Sequence, residues 1–81
     1  MNDHQDSENF SYNRTWVDIQ DLLHEAERKQ NQHLLALQNT RLTKKQKVQH
    51  MRDFKGLQGV IHALRWTLGD LHMTRDKVLG K

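Results

Sequence analysis

The sequence predicts an all-α protein: an antiparallel two-helix hairpin spanning about residues 15–39 and 44–79, preceded by a polar N-terminal tail. Three observations lead there. Among 81 residues there is no Pro and there are only four Gly, so helix breakers are scarce. Apolar residues recur at helical spacing in two long stretches. Each stretch opens on a capping signal, Thr15-x-x-Asp18 and Thr43-x-x-Gln46, in which a Thr hydroxyl meets the backbone N–H three residues on and the acid or amide returns the contact.

In the first helix Trp16, Ile19, Leu22, Leu23, Ala26, Leu34 and Leu37 fall on one stripe at about 100° per residue. The periodicity lapses from Asn39 to Leu42, which places the turn near Arg41. In the second helix Phe54, Leu57, Val60, Ile61, Leu64, Leu68, Leu71, Val78 and Leu79 share a stripe roughly 120° wide, interrupted by Arg75. Facing stripes make a hairpin in which residue i lies near the level of residue 82 − i. That rule sets Ala26 beside Gly56, where small residues are expected to let the helices approach closely. Residues 1–13 read as an acidic tail anchored by Phe10 and Tyr12, and residues 14–81 as the hairpin domain.

Two features exceed a lone hairpin. A second helix of about 36 residues overhangs a first of about 25 by about 16 Å, leaving Leu71, Val78 and Leu79 uncovered. Trp66 projects about 180° from the apolar stripe, accompanied by Met73 and flanked by His62. A large aromatic on the wet side of an amphipathic helix marks a contact surface. The expected self-association or partner surface is therefore Trp66, Met73, His62, Leu71 and Leu79, and a homodimer forming a four-helix bundle would cover both features.

Composition narrows the function. At this length one domain is the ceiling, and a single core supplies roughly 3 to 5 kcal/mol without staples. With no Cys there is no disulfide, thiolate zinc site or Cys nucleophile, which suits a reducing compartment. No run approaches the roughly 20 apolar residues that cross a bilayer, and residues 1–13 do not resemble a signal peptide. A cytoplasmic protein that does not enter the membrane is expected.

The net charge of +3 hides an asymmetry. Residues 1–27 hold seven acids against Arg14, a balance of −6, and residues 28–81 hold twelve bases against Asp53, Asp70 and Asp76, a balance of +9. The densest basic run, Arg41, Lys44, Lys45, Lys47, Arg52 and Lys55, falls at the turn, where it suits phosphates or an acidic partner. A helix-turn-helix reader calls for short helices at a steep angle, and a single-strand binder for aromatics between the basic residues. Neither pattern is present.

Six His invite a search for chemistry. Asp21-x-x-His24 followed by Glu25 has the spacing of di-iron bundle ligands, but the second helix has no acid three residues before any of its His, so a solvated face is the better reading. His33 and His50 lie on the two stripes at the same level, with Gln30 nearby. This is a polar layer of the kind that fixes register, and two ligands do not close a metal site. Ser7 and Ser11 lie in the tail, no nucleophile elbow occurs, and Gly56-Leu-Gln-Gly59 is not a phosphate loop. No metal, cofactor, small-molecule substrate or catalytic residue is expected.

The expected function is thus that of a non-enzymatic interaction protein that self-associates and modulates a larger protein or assembly by binding it. In general type it resembles small accessory proteins, including those of phages and mobile elements, though no residue carries over from that likeness. A nucleic-acid-binding module using the basic turn, residues 41–55, is the alternative.

Overall fold

The computed structural model describes residues 14–81; the acidic tail with Phe10 and Tyr12 lies outside the described residues. Two long helices, α1 (Trp16–Leu37) and α2 (Lys44–Thr67), pack against each other as a hairpin, and a single-turn helix, α3 (Arg75–Val78), follows. No strand occurs among the described residues.

Both long helices begin where the Thr residues dictate. At Thr15 the hydroxyl accepts from the Asp18 N–H at 3.1 Å, and the Thr15 N–H donates to the Asp18 carboxylate at 3.1 Å. That backbone N–H, then the Thr15 hydroxyl and the nearby Arg14 charge, hold the Asp18 carboxyl below its ordinary range. Thr43 and Gln46 repeat the reciprocal cap at 3.0 and 3.1 Å. Between the two helices the Asn39 side-chain oxygen accepts the Arg41 N–H at 3.0 Å, a local contact that competes with helix and turns the chain.

The second helix is shorter than the expected 44–79, and the reason is Gly69. Its φ of +87° is a left-handed conformation that L side chains adopt only with strain. The Gly69 N–H donates to the Trp66 carbonyl and the Asp70 N–H to the Arg65 carbonyl, the two bonds of a Schellman C-cap. Asp70 then redirects the chain, accepting the His72 N–H on its carboxylate at 2.9 Å and the Met73 N–H on its carbonyl at 3.1 Å. Thr74 caps α3 by accepting from Lys77, and Gly80, at φ +75°, closes it with the same pair of C-cap bonds.

This break corrects the overhang. The long helices have 22 and 24 residues, so their lengths match, and the remaining segment doubles back along α2. It lies against the side that carries Gly59, His62 and Trp66, with the His62 ring Nδ1 3.4 Å from the Lys77 carbonyl. Leu71 and Leu79, on the apolar stripe by periodicity and expected to be left uncovered by the hairpin, are exposed, Leu71 at 95%.

Leu23, Ala26 and Ile61 are the buried core, backed by Leu57, Leu64 and Leu68. Glycine does not set the helix separation: a Cβ at Gly56 or Gly59 would meet nothing within 4 Å, so the expected close approach at Ala26 and Gly56 does not occur.

Candidate interaction surface

Along the seam the core gives way to polar contacts toward the turn. His33 Nδ1 and His50 Nδ1 are 2.9 Å apart, with ring centroids at 5.2 Å and planes tilted by 53°. A bond between two Nδ1 atoms requires the rings to differ, one donating its N–H and the other accepting. One turn deeper, the Gln30 side-chain amide donates to the Phe54 carbonyl at 3.4 Å. The polar layer of Gln30, His33 and His50 is therefore assembled across the two helices at the register the 82 − i rule gives. All three are half-buried, and no buried side-chain polar atom among the described residues lacks a partner.

Glu27 and Arg65 form an ion pair between the helices at 2.5 Å. Sequence levels alone separate them, because Glu27 lies opposite residue 55. Each side chain leans toward its own helix N-terminus, however, and in an antiparallel pair those leans converge. Both remain partly exposed, so the pair contributes little beyond orientation.

The apolar side chains are distributed unevenly. Trp16, Val17, Leu22, Leu34, Leu35, Val48, Met51, Val60 and Trp66 are all exposed. Helical periodicity assigns Trp16, Leu22 and Leu34 to the core, yet Trp16 is 62% exposed. It lies about 60° from the centre of the buried stripe, at the edge of what a single facing helix can cover. Near the turn Leu34, Leu37, Met51, Phe54 and Lys55 line an open apolar groove of about 230 Å³. Periodicity does not single out Met51; its only signal in the sequence is a position between Phe54 and the basic residues on the helix edge.

The expected surface around Trp66 is rearranged. α3 places Arg75, Val78 and Leu79 beside the indole, which is 49% exposed, and His62 is half-buried beneath the Lys77 carbonyl. Met73 is half-buried in the turn before α3, off the α2 face it was expected to share with Trp66.

The basic residues Arg41, Lys44, Lys45, Lys47, Arg52 and Lys55 are all exposed at the turn end. Lys44, Lys45, Val48, Gln49 and Arg52 share one shallow surface, and the nearest acid in sequence, Asp53, accepts from Gln49 at 3.0 Å. Asp21, His24 and Glu25 are exposed on the outer side of α1, and no group of three or more metal-ligating side chains occurs among the described residues. No described helix is long and apolar enough to cross a membrane. In comparison with known proteins, no family model, no curated protein and no solved structure matches this chain.

Proposed function

We propose that the chain is a non-enzymatic interaction module, a helical hairpin that self-associates in the cytoplasm and binds a larger protein or assembly to modulate it. One observation carries this reading. Among the described residues three side chains form the buried core, whereas eleven large hydrophobic residues are exposed. Burying an aliphatic side chain contributes about 1.5 to 3 kcal/mol, so Leu23 and Ile61 supply only a few kcal/mol against the entropy of ordering the chain. Apolar surface on this scale relative to the core is characteristic of a protein whose core is completed by association. The test is sedimentation velocity across the micromolar range. A dimer supports the reading, and a monomer at every concentration removes it.

A second reading rests on the exposed basic turn. Clustered lysines and arginines with one acid, Asp53, among them suit the phosphates of a nucleic acid. Binding of this kind weakens steeply with salt and is lost when Lys44, Lys45 and Lys47 become Gln. A gel shift at low salt showing no complex removes it.

A further inference from the structure

We infer that the second copy seats antiparallel on the hairpin side that bears Trp16, with the Trp16 indole of each copy entering the Leu34–Met51 groove of the other. The inference rests on the self-association proposed above and specifies its surface and orientation.

Trp16 and Leu34 are 18 residues apart on α1, five turns, so they project in the same direction about 27 Å from each other. Trp16 is a largely exposed aromatic at the open end of the hairpin. Leu34 is one wall of the apolar groove, completed across the seam by Met51 and Phe54 and flanked by the Lys55 stem. A two-fold axis perpendicular to the hairpin at the level of residue 25, midway between them, superposes each knob on the other copy's groove. Such an interface is isologous and closes with two copies, so it leads to a dimer without propagating into a fibre. Close to the level of the axis lies the Glu27–Arg65 pair, already neutralised within each copy.

Charge selects the orientation. Residues 28–55, the turn end, carry eight basic residues and Asp53, a balance of +7. The open end, residues 14–27 together with 56–81, carries five basic residues against six acids, a balance of −1, and four of those acids, Asp18, Asp21, Glu25 and Glu27, lie on the first half of α1. A parallel dimer would bring two +7 ends together. The antiparallel one sets each basic turn beside the acidic opening turns of the other copy's α1, which steers association and disfavours the wrong register.

The absence of Cys makes the orientation directly measurable, because Gln38→Cys supplies a unique site for a spin label at the turn end. In the antiparallel dimer two such labels are separated by about 26 residues of helix rise, about 40 Å; in a parallel dimer they are neighbours. Trp16→Ala, which removes an exposed side chain and should leave helicity by circular dichroism unchanged, is expected to raise the dimer dissociation constant roughly 100-fold or more, since each dimer contains the contact twice. Leu34→Glu attacks the groove from the other side and should act alike. A dimer with neighbouring labels, or one indifferent to both substitutions, overturns the antiparallel arrangement and leaves self-association standing. A monomer throughout overturns both. A monomer in which Phe10→Ala or Tyr12→Ala exposes the groove to a hydrophobic dye assigns the groove to the tail and equally overturns the dimer.

Discussion

Replacing His33 and His50 singly and together with Leu tests whether the seam's register depends on a polar contact. His33→Leu removes one partner of a 2.9 Å bond and leaves the other ring's Nδ1 half-buried against an aliphatic side chain. An orphaned polar group costs about 1 to 3 kcal/mol, and partial exposure places this case near the lower end, about 1 kcal/mol. His50→Leu should cost the same. In the double variant both partners are gone and two apolar side chains meet across the seam, so stability should return to the parent value or exceed it. The coupling energy is therefore about 2 kcal/mol in favour of the double variant, well above the roughly 0.3 to 0.5 kcal/mol within which independent sites add. Urea unfolding followed by circular dichroism, at one fixed protein concentration because association shifts the midpoint, provides the measurement. Strict additivity of the two single effects would refute the reasoning, because it would mean that the rings do not act through each other.

Three further outcomes follow from local geometry. Gly69→Ala forces a side chain into φ +87° with no steric neighbour to complicate the reading, so it should cost about 1 kcal/mol, loosen α3 and red-shift Trp66 emission in a Trp16→Phe background; an unshifted spectrum would show that α3 does not depend on that cap. Gly56→Ala and Gly59→Ala introduce a Cβ into open space inside a helix, so each should stabilise by about 0.5 to 1 kcal/mol, read as a rise of several degrees in Tm, whereas destabilisation would reveal a neighbour at those positions. The Asp18 carboxyl is held below its ordinary value of 3.8, so its folded pKa is the lower one: the cap's contribution is complete above that pH and is lost as pH falls through and below it. Helicity of the parent should fall in that acid window more steeply than that of Asp18→Ala, and parallel acid titrations would contradict the assignment.

How much of the fold is legible in the sequence follows from the range of the forces involved. Helix starts are written locally, since Thr15 and Thr43 with Asp18 and Gln46 satisfy orphan N–H groups within one turn. The seam is legible because a hairpin has one register, and His33 and His50 meet where counting places them. The end of α2 is not legible from periodicity, which continues through Leu71, Val78 and Leu79 as though the helix went on. Gly56 and Gly59 sit inside the same helix without breaking it, so a glycine at position 69 does not by itself announce a stop. Its difference lies in its successors: Asp70 turns the chain and Thr74 restarts it. The fold-back of α3 removes the overhang and sets Val78 beside Trp66, but it leaves the indole, Leu71 and Leu79 exposed. Trp16 and Leu34 belong to the core by periodicity but not in the structure, because one facing helix covers less of the stripe than its width suggests. The groove needs Met51 and Phe54 from the other helix, a juxtaposition that a helical projection of either stretch alone does not display.

Sedimentation equilibrium of the intact chain across the micromolar range tests the central claim most directly, because the proposed second copy is what completes the small core and covers the exposed apolar side of the hairpin. The expected result is a reversible monomer–dimer equilibrium with an unfolding midpoint that rises with protein concentration. A monomer at every concentration, with a concentration-independent midpoint, would contradict it.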